Sequence, residues 1–539
     1  MKRLKPDTAR SARFSALKDA AYADGHWVST TLADALREAA NTTPERVLLV
    51  DGDVRLDCRT LHTQASHLAK LLLSRAPSGS VVSFMLPNWH EAAVIYLAST
   101  LAGMVANPVL PNLRGRELRF ILEDADSRFL FVPAQFRKFD YRSLADEVIA
   151  ELELPPEVIV LRGSPGHHTA FDTLLQAETP AIELPRLNPD DIRMVMYTSG
   201  TTGRAKGVLH SHNTLHALIQ QLGKHWRIDQ GDAFLVPSPI SHIGGSIYAF
   251  ECPLLLGSRA VLMEAWQPEP AIDLMEAEGC THMAGATPFL EQLLAAARSK
   301  NTHLQKLKTF ICGGAAVPPQ LIREAADYFP NACVTRVYGS TEVPVTTVGA
   351  PLPNELEFAA DTDGRAGIAL IKLAEHPAAL PGEGEICAKG PQMLLGYLHA
   401  EDDTKSFDDE GYFRTGDIGR YIGDYIQVTG RAKDIIIRNG ENISPKELED
   451  LLLEHTDIVD IAIVGRPHPK TGERVCAVIV AEGDKMLDVK ALLEFLVARN
   501  VAKFKIPEQV DIWESLPRNA SGKVLKHEIR AALIKNSKD

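Results

Sequence analysis

The sequence predicts an α/β protein with two parts: a large N-terminal domain of doubly wound α/β subdomains, then a small α+β domain. Three observations predict it. Apolar runs of strand length alternate with helically spaced runs through residues 32–337, as in βαβ units. From about residue 381 the runs shorten and are separated by turn residues, as in antiparallel strands. After Arg431 the pattern restarts with its own helix–strand–strand–helix order, as a separate domain would.

The elements follow in order. Residues 1–30 are polar and are expected to wrap the surface. Leu32 to Ala40 has helical spacing. Val47–Val50 and Val54 read as strands about an Asp51-Gly52 turn. Leu61 to Leu73 is an amphipathic helix, Val81 to Leu86 a buried strand, and Glu91 to Ala102 a helix. Phe129–Val132 and Val158–Leu161 are further strands. Ala233–Val236, Ala260–Met263, Thr281–Ala284 and Thr309–Cys312 resemble parallel-sheet strands. The last two run into the small-residue turns Gly285–Pro288 and Gly313–Pro318. Ligands of open α/β sheets bind off the carboxyl ends of strands, so these turns are where one is expected. Short strands are predicted at 382–386, 411–417 and 425–430. Then come a helix over 445–455, strands over 458–464 and 475–480, and a helix over 489–499.

The most informative stretch lies mid-chain. The apolar run Ile192–Tyr197, interrupted by Arg193, ends in Thr198-Ser199-Gly200-Thr201-Thr202-Gly203, with Lys206-Gly207 closing the loop. Glycines let backbone N–H groups turn towards an anion. Four hydroxyls add donors and Lys206 adds a mobile positive charge, which together make a cradle for a polyphosphate. The common G-x-x-x-x-G-K-[ST] loop is excluded, because Gly207 follows Lys206. A polar hairpin loop is the blander reading of the same residues.

Tyr197 to Gly207 resembles the phosphate loop of the adenylate-forming superfamily, which comprises acyl-CoA synthetases, stand-alone adenylation enzymes and luciferases. The family's usual Pro before the Lys is Ala205 here. The resemblance covers nearly the whole chain, most specifically 197–207, 313–342, 412–447 and 517–526. It implies a multi-sheet N-terminal domain over 1–430, a hinge at 431–433 centred on Lys433, and a mobile domain over 434–539 that carries the catalytic lysine.

The resemblance also implies roles. Thr198, Ser199, Gly200, Thr201, Thr202, Gly203 and Lys206 would hold ATP phosphates. Tyr338-Gly339-Ser340-Thr341-Glu342 would be the second nucleotide motif. In it Tyr338 would stack on adenine, Thr341 would bond a phosphate and Glu342 would hold Mg²⁺, a hard cation suited to carboxylate oxygen. Gly313, Gly314 and Ala315 would line the adenine and acyl pockets. Asp417 would accept the ribose hydroxyls, with Arg431 reaching the ribose. Lys523, in Ser521-Gly522-Lys523, would stabilise charge on the carboxylate and α-phosphate. His242 would sit by the carboxylate, and Gly440 in Asn439-Gly440-Glu441-Asn442 would let the pantetheine of CoA pass. Taken singly, these residues also read as ordinary turns, a solvated lysine and a structural histidine.

The implied reaction is ATP-dependent joining of a carboxylic acid to a thiol through an acyl-adenylate, with CoA as the thiol. A carrier-protein phosphopantetheine is the alternative acceptor. From another class, an inactive nucleotide-binding or scaffolding relative would show damage at Lys523, Glu342 or Asp417, and all three are intact. The pocket between 242–246, 285–286, 313–314 and 343–345 carries no fixed cation. It therefore favours an acid uncharged beyond its reacting carboxylate: medium-chain, alicyclic or aromatic.

The bulk numbers agree. The chain has 539 residues, 45% hydrophobic and 24% charged, an ordinary globular composition. Its net charge of −13 gives no support to nucleic-acid binding. Seven scattered cysteines without metal spacing fit a reduced, cytoplasmic protein. No secretory signal and no membrane span is expected, and the protein is expected to be a monomer or homodimer.

Overall fold

Strands that are apolar throughout need cover on both faces, and here they have it. The computed structural model describes residues 8–198, 204–314, 317–438, 441–468, 470–483, 485, 487–499, 501–518 and 522–535. One seven-stranded sheet runs Cys333–Val337, Thr309–Gly313, His282–Gly285, Ala233–Val236, Arg259–Leu262, Val47–Asp51 and Val54–Asp57. All neighbours in it are parallel except the final hairpin pair. An eight-stranded sheet has Val105–Pro108, Val81–Phe84, Ser127–Pro133 and Glu157–Leu161 parallel at its centre.

Between these sheets lies the helix His90–Leu101, buried from Ala92 through Leu101. A helix apolar all round has to be enclosed, and this one packs on strands of both sheets. Residues from the two sheets, among them Leu49, Val82, Phe84, Phe234 and Val236, share one core with it.

Two smaller sheets follow. Leu370–Ala374, Gly384–Lys389, Phe413–Ile422 and Tyr425–Arg431 form an antiparallel four-stranded sheet. Glu441–Ile443, Ile436–Arg438, Gly472–Ala481 and Ile458–His468 pair antiparallel, with Gln509–Ile512 added parallel. The helix Pro445–Leu452 packs on this last sheet, sharing a core with the helix Val489–Ala498. This is the small α+β unit that the sequence predicts.

The structure departs from expectation at the N-terminus. Thr8–Ala23 is a helix, and Trp27 is buried with its Nε1 donating to the Pro391 carbonyl at 2.9 Å. An indole that finds a partner for its N–H can be buried, so this segment is anchored rather than merely wrapped.

Candidate active site

The strands on either side of the hydroxyl-rich stretch pair as a hairpin. Ile192–Thr198 pairs antiparallel with Lys206–Ser211, and Thr198 stands opposite Lys206. Ser211 then caps the helix His212–Trp226 by accepting from the Thr214 amide at 3.1 Å. Ser199, Gly200, Thr201, Thr202 and Gly203 lie outside the described residues, as do Ala315, Gly440 and Ser521.

At the foot of the hairpin, Glu342 Oε1 accepts from the Tyr397 hydroxyl at 3.0 Å and from Thr198 Oγ1 at 3.4 Å. Lys206 Nζ lies 4.7 Å from the Tyr397 ring centroid and 3.4 Å from Asp402 Oδ1. Thr341 presents its carbonyl to His210 Nε2 at 2.8 Å. Burial pushes His210 down to about 4, so it donates as a neutral ring.

Gly313 and Tyr338 leave adjacent parallel strands, with Gly313 opposite Val337. A Cβ on Gly313 would stand 2.7 Å from the Val337 carbonyl oxygen, and one on Gly339 would stand 2.6 Å from the Val345 nitrogen. Backbone passes too close for any side chain there.

The next corner is built by a strand pair. Asp417 and Arg431 are register partners across Phe413–Ile422 and Tyr425–Arg431. Arg431 Nε lies 2.8 Å from Asp417 Oδ1, and the Tyr338 hydroxyl donates to Asp417 Oδ2 at 2.7 Å. Burial and then the Asp417 charge raise the Tyr338 pKa. Burial opposes the Arg431 charge most, but Asp417, Tyr338 and Asp434 together outweigh it and raise its pKa.

Lys523 comes to this corner from the far end of the chain. Its pKa falls to about 8, through burial first and then the nearby Arg431 and Lys433, with Asp417 and Asp434 opposing. The preceding Gly522 has φ +82, and a Cβ on it would stand 3.9 Å from Pro288 Cγ, so the turn faces the start of the helix Thr287–Lys300. Lys433 is exposed on the 3₁₀ turn Ala432–Asp434, and Asp434 pairs with Arg530 at 2.9 Å. Asn442 Nδ2 donates to the Pro377 carbonyl at 2.7 Å, which holds the strand Glu441–Ile443 against the N-terminal part.

His242 marks the other side of the site. The Gly-rich turn after it is helical: Ile243–Ser246 is one α turn, and Ile247–Glu251 continues as a π-helix. π-Helical turns are common at functional sites. A Cβ on Gly245 would stand 2.1 Å from the Pro239 carbonyl oxygen, so this turn is pressed against the chain before it. Burial lowers the His242 pKa, which leaves a neutral imidazole. Among the described residues its Nε2 has no hydrogen-bond partner, nor do the buried Ser241 and Ser246 hydroxyls.

Sequence reasoning missed the tie between these regions. Arg193, beneath the phosphate hairpin, pairs with Glu251 of the π-helix at 2.8 Å, and both side chains are 1% exposed. Tyr96 hydrogen-bonds both. The signal was present, since a charge interrupting a buried strand needs a buried counter-charge. Tyr397 and Asp402 were also missed, and nothing in their local sequence marks them. Cys312, just before Gly313, is fully buried, and burial pushes its thiol up to about 12. Among the described residues no helix is long and apolar enough to cross a membrane.

The described site brings together a hairpin flanking the glycine-rich stretch, a carboxylate with hydroxyl neighbours and an Asp–Arg–Tyr corner approached by a remote lysine. The sequence model of the "AMP-binding enzyme" family matches residues 36–398, and that of the "AMP-binding enzyme C-terminal domain" matches 447–523. The chain belongs to the AMP-binding enzyme family. Within it, its relatives place it with the acyl- and aryl-CoA ligases. It is 32% identical to a medium-chain fatty-acid–CoA ligase of Escherichia coli over 97% of this chain and 94% of that one. It is 30% identical to a salicylyl-CoA synthase/salicylate adenylyltransferase of a Streptomyces species, over 94% of each. Among solved structures, ATP-bound MatB from Rhodopseudomonas palustris superposes with a TM-score of 0.83 at 27% identity, covering 94% of this chain and 99% of that one.

Proposed function

We propose that this chain activates an acid uncharged beyond its reacting carboxylate, medium-chain, alicyclic or aromatic, and joins it to CoA. The observation that carries this reading is the buried Lys523 brought close to the paired Asp417 and Arg431. A cation brought from the C-terminal part to a paired ribose-type corner is suited to the first half-reaction. There the substrate carboxylate oxygen attacks the α-phosphorus of ATP, and pyrophosphate leaves. Lys523 offsets charge that builds on the entering oxygen and the phosphoryl oxygens.

The ATP phosphates would lie along the hairpin tip, with Thr198 and Lys206 among their donors and Thr341 beside them. The ribose would replace Tyr338 on Asp417. Gly313, Gly314 and Gly339 would let the adenine lie against backbone. The donors near Glu342 are oxygens, which suits Mg²⁺ bound by one carboxylate and the substrate phosphates. When bound, that ion would neutralise phosphate charge.

In the second half-reaction the small domain, 434–539, turns about Lys433 and takes Lys523 away. Gly440 then faces the site. The thiol sulfur of CoA attacks the acyl carbon, AMP leaves with the anhydride oxygen, and the thiol proton passes to solvent. His242 and Ile243 border the acyl group. The neutral imidazole and the Ser246 hydroxyl can donate to a polar substrate atom, and Ile243 offers only apolar contact.

Pyrophosphate exchange into ATP over a panel of octanoate, cyclohexanecarboxylate, benzoate and salicylate tests the first half-reaction. CoA and a phosphopantetheinylated carrier domain are then offered as acceptors. Exchange with an uncharged acid and thioester formed on CoA are expected. Salicylate as best substrate by kcat/KM, with acyl transfer only to the carrier, would overturn the pocket and acceptor readings together.

A further inference from the structure

We infer that Asp146, His167 and His168 form a site for a divalent transition cation of the zinc class, distant in role from the nucleotide corner. The site closes the loop 162–168, which joins the strands Glu157–Leu161 and Thr169–Ala170 at the edge of the eight-stranded sheet. Asp146 lies on the helix Tyr141–Ile149. His167 Nε2 is 3.3 Å from Asp146 Oδ1, and His168 Nε2 is 2.9 Å from the same oxygen. One ligand atom from each residue lies within 4.8 Å of the others. Zinc bonds of about 2.0–2.1 Å at tetrahedral angles set ligand atoms roughly 3.3 Å apart, so little movement is needed to admit the ion.

Two features favour a metal over a plain ion pair. The His168 side chain is only 7% exposed, yet its Nε2 makes no hydrogen bond among the described residues despite its closeness to Asp146. Both rings also bring Nε2 to one point, with centroids 4.1 Å apart. Two adjacent imidazoles aimed at one oxygen satisfy it poorly as donors but suit it well as fellow ligands. Two nitrogens and one oxygen select zinc, nickel or copper over magnesium or calcium. The 72% exposure of His167 leaves room for water as the fourth ligand.

The neighbouring charges allow it. Arg142 reaches the Ser164 carbonyl at 3.0 Å, but its Nε and Nη2 are committed to Asp140 at 3.1 and 2.7 Å. A second cluster, Asp51, His90 and Glu91, makes the contrast. There Arg162 already supplies the cation, 2.8 Å from Asp51 and 2.7 Å from Glu91, and its guanidinium lies 4.1 Å from the Trp89 ring centroid. The loop is thus pinned at its start by Arg162, while at its end no guanidinium bonds Asp146 among the described residues. A bound ion there would cross-link loop and helix.

The test uses the full chain stripped with chelator and titrated with zinc by calorimetry and with cobalt(II) by visible absorption. The wild type is expected to bind one more ion than the His167→Ala/His168→Ala variant. Asp146→Asn should weaken that site at least about tenfold, the minimum cost of losing even a supporting partner. Zinc should raise the Tm of the wild type more than that of the variants. Pyrophosphate exchange should be unchanged in all of them. If the double variant does not fold, the exposed single change His167→Ala carries the comparison. Equal stoichiometry and affinity in wild type and variants would overturn the site.

Discussion

The Asp417 corner and the His242 corner treat their polar atoms in opposite ways. At Asp417 each carboxylate oxygen has a partner, one from Arg431 and one from Tyr338. At His242 the ring Nε2 and two neighbouring serine hydroxyls are buried without partners among the described residues. A satisfied corner is stable empty, and any ligand there must exchange for contacts already made. An unsatisfied corner gains from any ligand atom that completes it, because an unpaired buried polar group costs about 1–3 kcal/mol. The Asp417 corner is therefore pre-shaped by charge, while the His242 corner is shaped by what it lacks.

The largest expected effect falls on the charged corner. Lys523→Ala should cut adenylation by about 10²–10³, the scale of removing one transition-state donor. The thioester step from supplied acyl-adenylate should keep most of its rate. Equal losses in the two half-reactions would show that the lysine is not specific to one conformation.

Lys433→Pro comes next and separates the two steps. Proline fixes its own φ and restricts the residue before it, so a backbone that must change shape is held in one. Adenylation should persist while thioester formation falls, measured as separate single-turnover rates. An unimpaired thioester step would remove the hinge from this position.

Protonation probes the same corner more gently. Lys523 acts as a cation, and its pKa of about 8 means the charge is present below pH 8 and lost as pH rises through it. The kcat/KM for adenylation, which reports the free enzyme, should fall above pH 8 by up to about tenfold per unit. Lys523→Arg should move that limb to higher pH. A flat profile to pH 9.5 in the wild type would contradict the assignment.

The His242 corner, as the proposed acyl pocket, should answer to size. Ile243→Trp should raise KM for larger acids more than for short ones, with discrimination shifting roughly 10- to 200-fold, the range for a changed apolar pocket. A uniform change across chain lengths would place Ile243 outside the pocket.

Smallest is Tyr338→Phe, which frees one Asp417 oxygen. One net hydrogen bond is worth about 0.5–1.5 kcal/mol, so KM for ATP should shift by only about 2- to 10-fold. A loss near that of Lys523→Ala would mean that Tyr338 does more than hold the empty corner.

The strands, including the pair that flanks the hydroxyl-rich stretch, are legible in the sequence because they are local: apolar runs bounded by glycine turns. Asp417 and Arg431 were each visible, and the strands carrying them were too, but their register depends on a bulge between Ile418 and Gly419 that no local pattern marks. The Tyr338–Asp417 bond joins residues 79 positions apart and is set by tertiary packing alone. Gly244-Gly245 reads as a turn on propensity, yet burial against Pro239 holds it in a helix that runs on into a π turn. Arg193 was noticed as an interruption, but its partner Glu251 lies 58 residues away and could not be found by spacing.

Cys312 directly precedes Gly313, which we propose lines the adenylate pocket, and a mixed anhydride formed there would acylate any thiolate it met. Burial holds that thiol up to about 12 and those of Cys280 and Cys476 likewise, so at neutral pH they stay protonated and poorly nucleophilic. The thiol that arrives from solvent on a flexible arm has no such handicap. On the proposed placement of the intermediate, the packing that builds the sheet would also guard the enzyme against acylating itself.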